Sequence, residues 1–182
     1  MTSERVLSYW DRVAGQQTFH LGLGLLRAFY GVYWLYAASW KVPPDFGRVA
    51  GAGLWRWISE GAQFPTFSWY HGLLEGVIIP HFATLGYLVL LTELLIGFSL
   101  LLGAFTRLGT AIGLFMSVNI TLTVANVPGE TVLFYATLIG LHLLLGLTRS
   151  GRFWGLDARL ARRLAGAATN GSRVARLLVR LT

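Results

Sequence analysis

Residues Phe82 to Ala104 read FATLGYLVLLTELLIGFSLLLGA. The stretch is about as long as a helix needs to be to cross the hydrocarbon core of a bilayer. Its one ionisable residue, Glu93, stands almost at the midpoint. A carboxylate at that depth costs roughly 2.5–3.5 kcal/mol to insert, so it is expected to face the inside of a bundle and to have a partner. What the other segments offer Glu93 decides how the fold is read.

The composition agrees with a membrane setting. Of 182 residues, 54% are apolar and only 13% charged, and the mean hydropathy is +0.57. Soluble domains carry about a quarter charged residues. A net charge of +7 would suit nucleic acid in a soluble chain. Here eight of the fifteen basic residues follow Thr148, beside the last apolar segment, where membrane topology explains them and no nucleic-acid partner is expected. The chain has no cysteine. Disulfide exchange, covalent c-type haem attachment and cysteine-ligated iron–sulfur clusters on this chain are therefore excluded.

Working outward, three further apolar segments flank the first. Residues 19–40 are too long for a signal-peptide core and have no A-x-A-like site after them, so they read as a retained span. Within them His20, Arg27, Trp34 and Lys41 recur every seven residues and share a helix face, flanked by Tyr30 and Gly31. Arg27 on that face either points into the bundle or snorkels to the headgroups. Residues 107–126 form a third span, with Gly109 and Gly113 as a GxxxG for close helix approach and with Asn119, Thr123 and Asn126 on one face. Residues 131–147 form the fourth, with Tyr135 and His142 on one face that Arg149 extends.

The connection Val42–His81 is long and aromatic, with Trp55, Trp57, Phe64, Phe67, Trp69 and Tyr70. GRVAGAGLWRWISEGA and YHGLLEGVII each suit a short helix within it, and the whole reads either as a lid over the bundle mouth or as a passive belt at the headgroups. After Arg149 the chain turns basic. Leu156, Leu160 and Leu164 against Arg159, Arg162 and Arg163 make one amphipathic helix, and Arg173, Arg176 and Arg180 decorate a second. Anionic lipid or a cytoplasmic protein would each suit such a tail.

The expected fold is thus an all-α integral membrane protein. A four-helix transmembrane domain (1–148, spans about 19–40, 82–104, 107–126 and 131–147) precedes a basic cytoplasmic tail (149–182). Basic residues at Arg107, Arg149 and Arg152, against only Glu130 in the opposite short loop, place both termini in the cytoplasm and the aromatic loop outside. Counted along the helices at about 1.5 Å per residue, Arg27, Glu93 and His142 fall within about a turn of one another in depth. Arg27 is the expected charge partner of Glu93.

Such a group has several uses. It can fix helix register as a buried polar network. It can serve quinone chemistry, with His142 and Glu93 taking protons and Arg27, Tyr30 or Asn119 donating hydrogen bonds. It can carry a proton or a small solute, although no inverted repeat is present. Bis-histidine haem on His20 and His142 fits poorly, because the two differ in depth by about 9 Å of helical rise. No metal or haem is expected.

Two stretches, LLRAFYGVYWLYAASWKV and TELLIGFSLLLGAFTRLGTAIGLFMSVN, resemble the DoxX/DoxD membrane proteins. The family pattern is an Arg entering the first span and a Lys closing it, followed by E-x3-G-x5-G-x2-T-R. It maps onto Arg27 and Lys41, and onto Glu93, Gly97, Gly103, Thr106 and Arg107. The loop ending FPTFSWYHGLLEGVIIPHF resembles the DoxD type, the small subunit of thiosulfate:quinone oxidoreductase. The resemblance covers residues 20–148 and implies a multi-pass subunit in a prokaryotic inner membrane. It would pass electrons from thiosulfate to membrane quinone beside a second subunit or within a larger complex. Thiosulfate is a dianion, and Lys41, Arg48, Arg56, His71 and His81 lie at or near the outer mouth. A non-catalytic anchor or assembly subunit is the alternative.

Overall fold

A computed structural model describes the backbone of residues 3–182 and the side chains from Gly15 onward. Among the described residues there are eight α-helices and no strand. The helices are α1 (Ser3–Ser39), α2 (Gly53–Gln63), α3 (Ser68–Leu73), α4 (Phe82–Leu102), α5 (Thr106–Val124), α6 (Val132–Leu147), α7 (Leu156–Thr169) and α8 (Arg173–Leu181). A π-helical turn, Leu74–Ile78, continues α3. The two short helices read in the loop and the two read in the tail are all present. Helix α1 begins well before the apolar stretch that marks it, because the polar run ahead of Phe19 has no proline to stop a helix.

Helices α4 and α5 are long and apolar enough to cross a membrane, and α6 is a shorter apolar helix of 16 residues. The four long helices pack side by side, α1 on α4, α4 on α5 and α5 on α6. Tyr30 closes the ring by donating to the carbonyl of Leu138 on α6 at 2.9 Å. The central core comprises Tyr30, Trp34, Ile96, Leu100, Leu138 and Leu145 with their neighbours.

Around this apolar core several polar side chains are also buried, and many large apolar ones are exposed. Arg27, Lys41, Glu93, Ser117, His142 and Asp157 are buried. Phe29, Leu88, Leu91, Phe115, Leu133 and Leu147 stand exposed, Phe29 at 73% and Leu133 at 78%. The loop is folded down onto the bundle. Phe46 is fully buried between Phe82 and Tyr87 of α4. Gly61 of α2 lies on the backbone of Thr123, and the Tyr70 hydroxyl meets Thr123 Oγ1 at 3.1 Å. Burial pushes the Tyr70 phenol above its ordinary pKa, and the Thr123 bond offsets part of that rise.

Helices α1 and α4 approach each other closely through their backbones. A Cβ on Gly31 would run into the backbone of Leu101 and Gly97, and one on Gly97 into Leu35. The GxxxG of α5 is instead divided: Gly109 faces Ser99 of α4 and Gly113 faces the His142 imidazole of α6. Gly31→Leu is therefore expected to force α1 and α4 apart and to destabilise by at least about 1–3 kcal/mol. Gly22, which has open space at its Cβ, is expected to accept alanine with a neutral or slightly stabilising effect. Thermal melts of the two variants in detergent check this, and equal melting temperatures would refute the close-approach account.

Candidate functional site

The heptad face of α1 points inward. Arg27, Trp34 and Lys41 are buried along it, and His20 stacks on Phe153 at 4.1 Å. Because α1 runs antiparallel to α4, the two ends of this face meet different parts of α4. Lys41 Nζ lies 2.7 Å from Glu93 Oε2, with both side chains no more than 4% exposed. The same ammonium donates to Ala37 O at 2.7 Å and sits over the Trp40 ring. Glu93 is thus buried and paired, but with Lys41.

Arg27 is not the partner of Glu93. Its guanidinium donates to the carbonyls of Leu100 and Leu101 at the end of α4, and to Trp154 O at 3.4 Å. These acceptors lie about two turns, or 10 Å, along α4 from Glu93. Depths counted from the apolar limits treat the helix ends as level. Helix α1 extends back to Ser3, and its register against α4 is set by Gly31 and Gly97 instead. A cation at the C-terminus of a helix satisfies free carbonyls and complements the dipole.

The same end holds a group that the sequence reading missed. Helix α4 closes on Gly103 at φ 62°, with Gly103 N bonded to Leu100 O and Ala104 N to Ser99 O. Asp157, fully buried, accepts from Phe105 N at 2.6 Å and Thr106 N at 2.9 Å, and its own N–H donates to Gly103 O at 2.8 Å. A carboxylate supplied from about fifty residues away thus caps the first turn of α5. The available signal was that Asp157 is the only acid after Glu130. Arg107 donates to Arg180 O and Arg152 to Val179 O, both at the last turn of α8. The first part of the tail is therefore structural.

A second buried group lies between α1, α5 and α6. The His142 ring is 4.8 Å from that of Tyr30 and 5.4 Å from that of Trp34. It lies flat over Gly113, where any larger side chain would displace it. The Tyr30 hydroxyl also faces Trp34 and Ser117. Both His142 nitrogens are buried without a protein hydrogen-bond partner. Ser117 holds the position expected of Asn119, whose amide donates back to Phe115 O of its own helix at 2.8 Å. Asn126 ties the loop by donating to Pro65 O.

The expected anion-binding residues each have a local neighbour. Lys41 has Glu93, Arg56 has Glu60 at 2.8 Å, and His71 has Glu75 at 3.3 Å. Arg48 stacks on Trp55, and His81 Nδ1 bonds to Val77 O at 3.0 Å. The carboxylates offset the positive charge that the sequence suggested for this mouth. Among the described residues no group of three or more His, Asp or Glu could hold a metal. Comparison of the chain with protein-family models, curated proteins and solved structures finds no match.

Removing one member of a buried ion pair leaves an uncompensated charge, which costs about 3–5 kcal/mol, whereas replacing both with apolar groups is often neutral. Lys41→Met and Glu93→Leu are each expected to destabilise strongly, and the double substitution to recover most of the loss. A double-mutant cycle on thermal or denaturant unfolding tests this, and additive losses would contradict the pairing. Asp157→Asn is expected to cost about 1.5–3 kcal/mol through weaker charge-assisted bonds to the α5 turn, read in the same assay.

Proposed function

We propose that the chain is a four-span inner-membrane subunit of the DoxX/DoxD type, working in a quinone-linked oxidoreductase with thiosulfate as the candidate electron donor. The membrane part of this reading rests on the exposed apolar surface. Leucine and phenylalanine cover the outside of the long helices, while Arg27, Lys41, Glu93 and His142 are buried with the apolar core. In lipid the exposed leucines and phenylalanines of the long helices are kept out of water, and Lys41, Glu93, Arg27 and Asp157 each have a partner. Arg107, Arg149 and Arg152 at one end, against Glu130 and the aromatic loop at the other, support cytoplasmic termini.

The single observation that carries the redox reading is His142. An unpartnered polar group in the interior costs about 1–3 kcal/mol, and both ring nitrogens of His142 are such groups, beside the Tyr30 ring. Oxidative coupling of two thiosulfates to tetrathionate releases two electrons and no protons. Reduction of a quinone by those electrons takes up two protons, so the protein's task is proton delivery. Imidazole and phenol side by side suit that task. Glu93, bound to Lys41, and Arg27, bound to carbonyls, hold the bundle around the site. With no cysteine, no persulfide forms on this chain.

A second reading has its own support. Arg27 and Glu93, the most costly residues to bury, are both engaged in contacts that fix helix positions. A non-catalytic anchor or assembly subunit of a larger complex would need the same bundle. The readings separate in purified protein, alone and with any co-purifying subunit, supplied with thiosulfate and a short-chain quinone. His142→Gln is expected to lower quinol formation by about 10²-fold or more with the melting temperature kept within a few degrees. Gly113→Ala, which crowds the imidazole, is expected to act in the same direction. Absence of thiosulfate-dependent quinol formation in the wild type with its partners present would support the anchor.

A further inference from the structure

At the Arg27 end, two concavities adjoin. One, of about 350 Å³, has Leu102, Trp154, Leu156, Arg159 and Arg162 in its wall. The other, of about 290 Å³, is a wholly apolar groove between α4 and α5, walled by Leu95, Phe98, Leu102, Phe105 and Leu108. Leu102, the last residue of α4, lines both. A cationic notch and an apolar groove therefore meet where the apolar span ends.

The notch is built from fixed parts. Trp154 stands 81% exposed, yet its carbonyl accepts from Arg27 and its Cβ lies against Gly24. The first turn of α7 is held by Asp157 against the α4–α5 turn. Arg159 and Arg162 follow on α7 at i, i+3 spacing, both exposed and in no ion pair among the described residues. Arg107 and Arg152, by contrast, are engaged with the end of α8.

We propose that notch and groove together bind one anionic phospholipid. Its phosphate lies between Arg159 and Arg162, Trp154 stands at headgroup level, and one acyl chain runs along the α4–α5 groove. Arginine pairs engage phosphate oxygens through charge-assisted bonds, and tryptophan favours the headgroup layer. The inference rests on the membrane reading above and goes beyond a general attraction of the basic tail for charged lipid, because it assigns two arginines and excludes others.

The test uses the full chain in nanodiscs of mixed phosphatidylcholine and phosphatidylglycerol, with retained lipid counted by native mass spectrometry after release. Arg159→Gln with Arg162→Gln is expected to lower phosphatidylglycerol retention by roughly 10–30-fold. Arg173→Gln with Arg176→Gln, which removes the same charge from α8, is expected to leave it nearly unchanged. Equal losses from both pairs would mean diffuse charge attraction and overturn the site. Displacement by glycerol 3-phosphate at the same concentration as lipid would leave the groove no role and overturn it too, as would loss of a co-purifying protein with lipid retention unaltered. Extraction of the wild-type chain from membranes by alkaline carbonate would instead overturn the membrane reading itself.

Discussion

The contact between α1 and α4 is the constraint from which the other placements follow. Gly31 and Gly97 bring the two backbones together where no side chain could stand between them. At that separation, one end of the α1 heptad face delivers Lys41 to Glu93 and the other delivers Arg27 to the final carbonyls of α4. A buried ion pair adds little net stability over an apolar pair, but a mismatched one is severely penalised. The pair thus acts mainly against wrong registers: sliding α1 by a turn would strand a cation and a carboxylate in apolar surroundings.

The same geometry gives physical content to the pattern from Glu93 to Arg107. Glu93 receives Lys41, Gly97 admits α1, and Gly103 turns the chain in the left-handed region under the Arg27 guanidinium and Gly155. Thr106 begins α5 beneath Asp157 and Gly151, and Arg107 reaches the last turn of α8. Each position joins α4 or α5 to a segment distant in sequence. The pattern is one of assembly, and it ties the start of the tail to the bundle as firmly as the helices are tied to each other.

Local periodicity was legible, and long-range pairing was not. The seven-residue spacing on α1 puts Arg27, Trp34 and Lys41 on one face, since helix geometry alone determines which residues share a face, and that face proves to be the buried one. The same spacing says nothing about which residue of α4 stands opposite, and the choice of Arg27 for Glu93 failed there. Asn119 and Ser117 differ by two positions, about 200° around a helix, and it is Ser117 that is buried beside Tyr30 of α1. The capping role of Asp157 leaves no mark in hydropathy, because its partners lie about fifty residues away; its being the sole acid after Glu130 is the one trace of it. The Gly109–Gly113 spacing suggested one helix contact, and the structure gives each glycine a different neighbour.

Glu93 and His142 carry opposite energetic signatures. The carboxylate is the more conspicuous in sequence, yet its charge is met by an ammonium that itself has a carbonyl and an aromatic face. A carboxylate held by such contacts is fixed in position, which suits a structural role. The imidazole lies against the Tyr30 and Trp34 rings, with both nitrogens uncommitted to the protein. A group that must change protonation or exchange partners during a reaction has to be left with such unused valences. On the proposed redox reading, that criterion favours His142 in the α1–α5–α6 interior over Glu93 on α4.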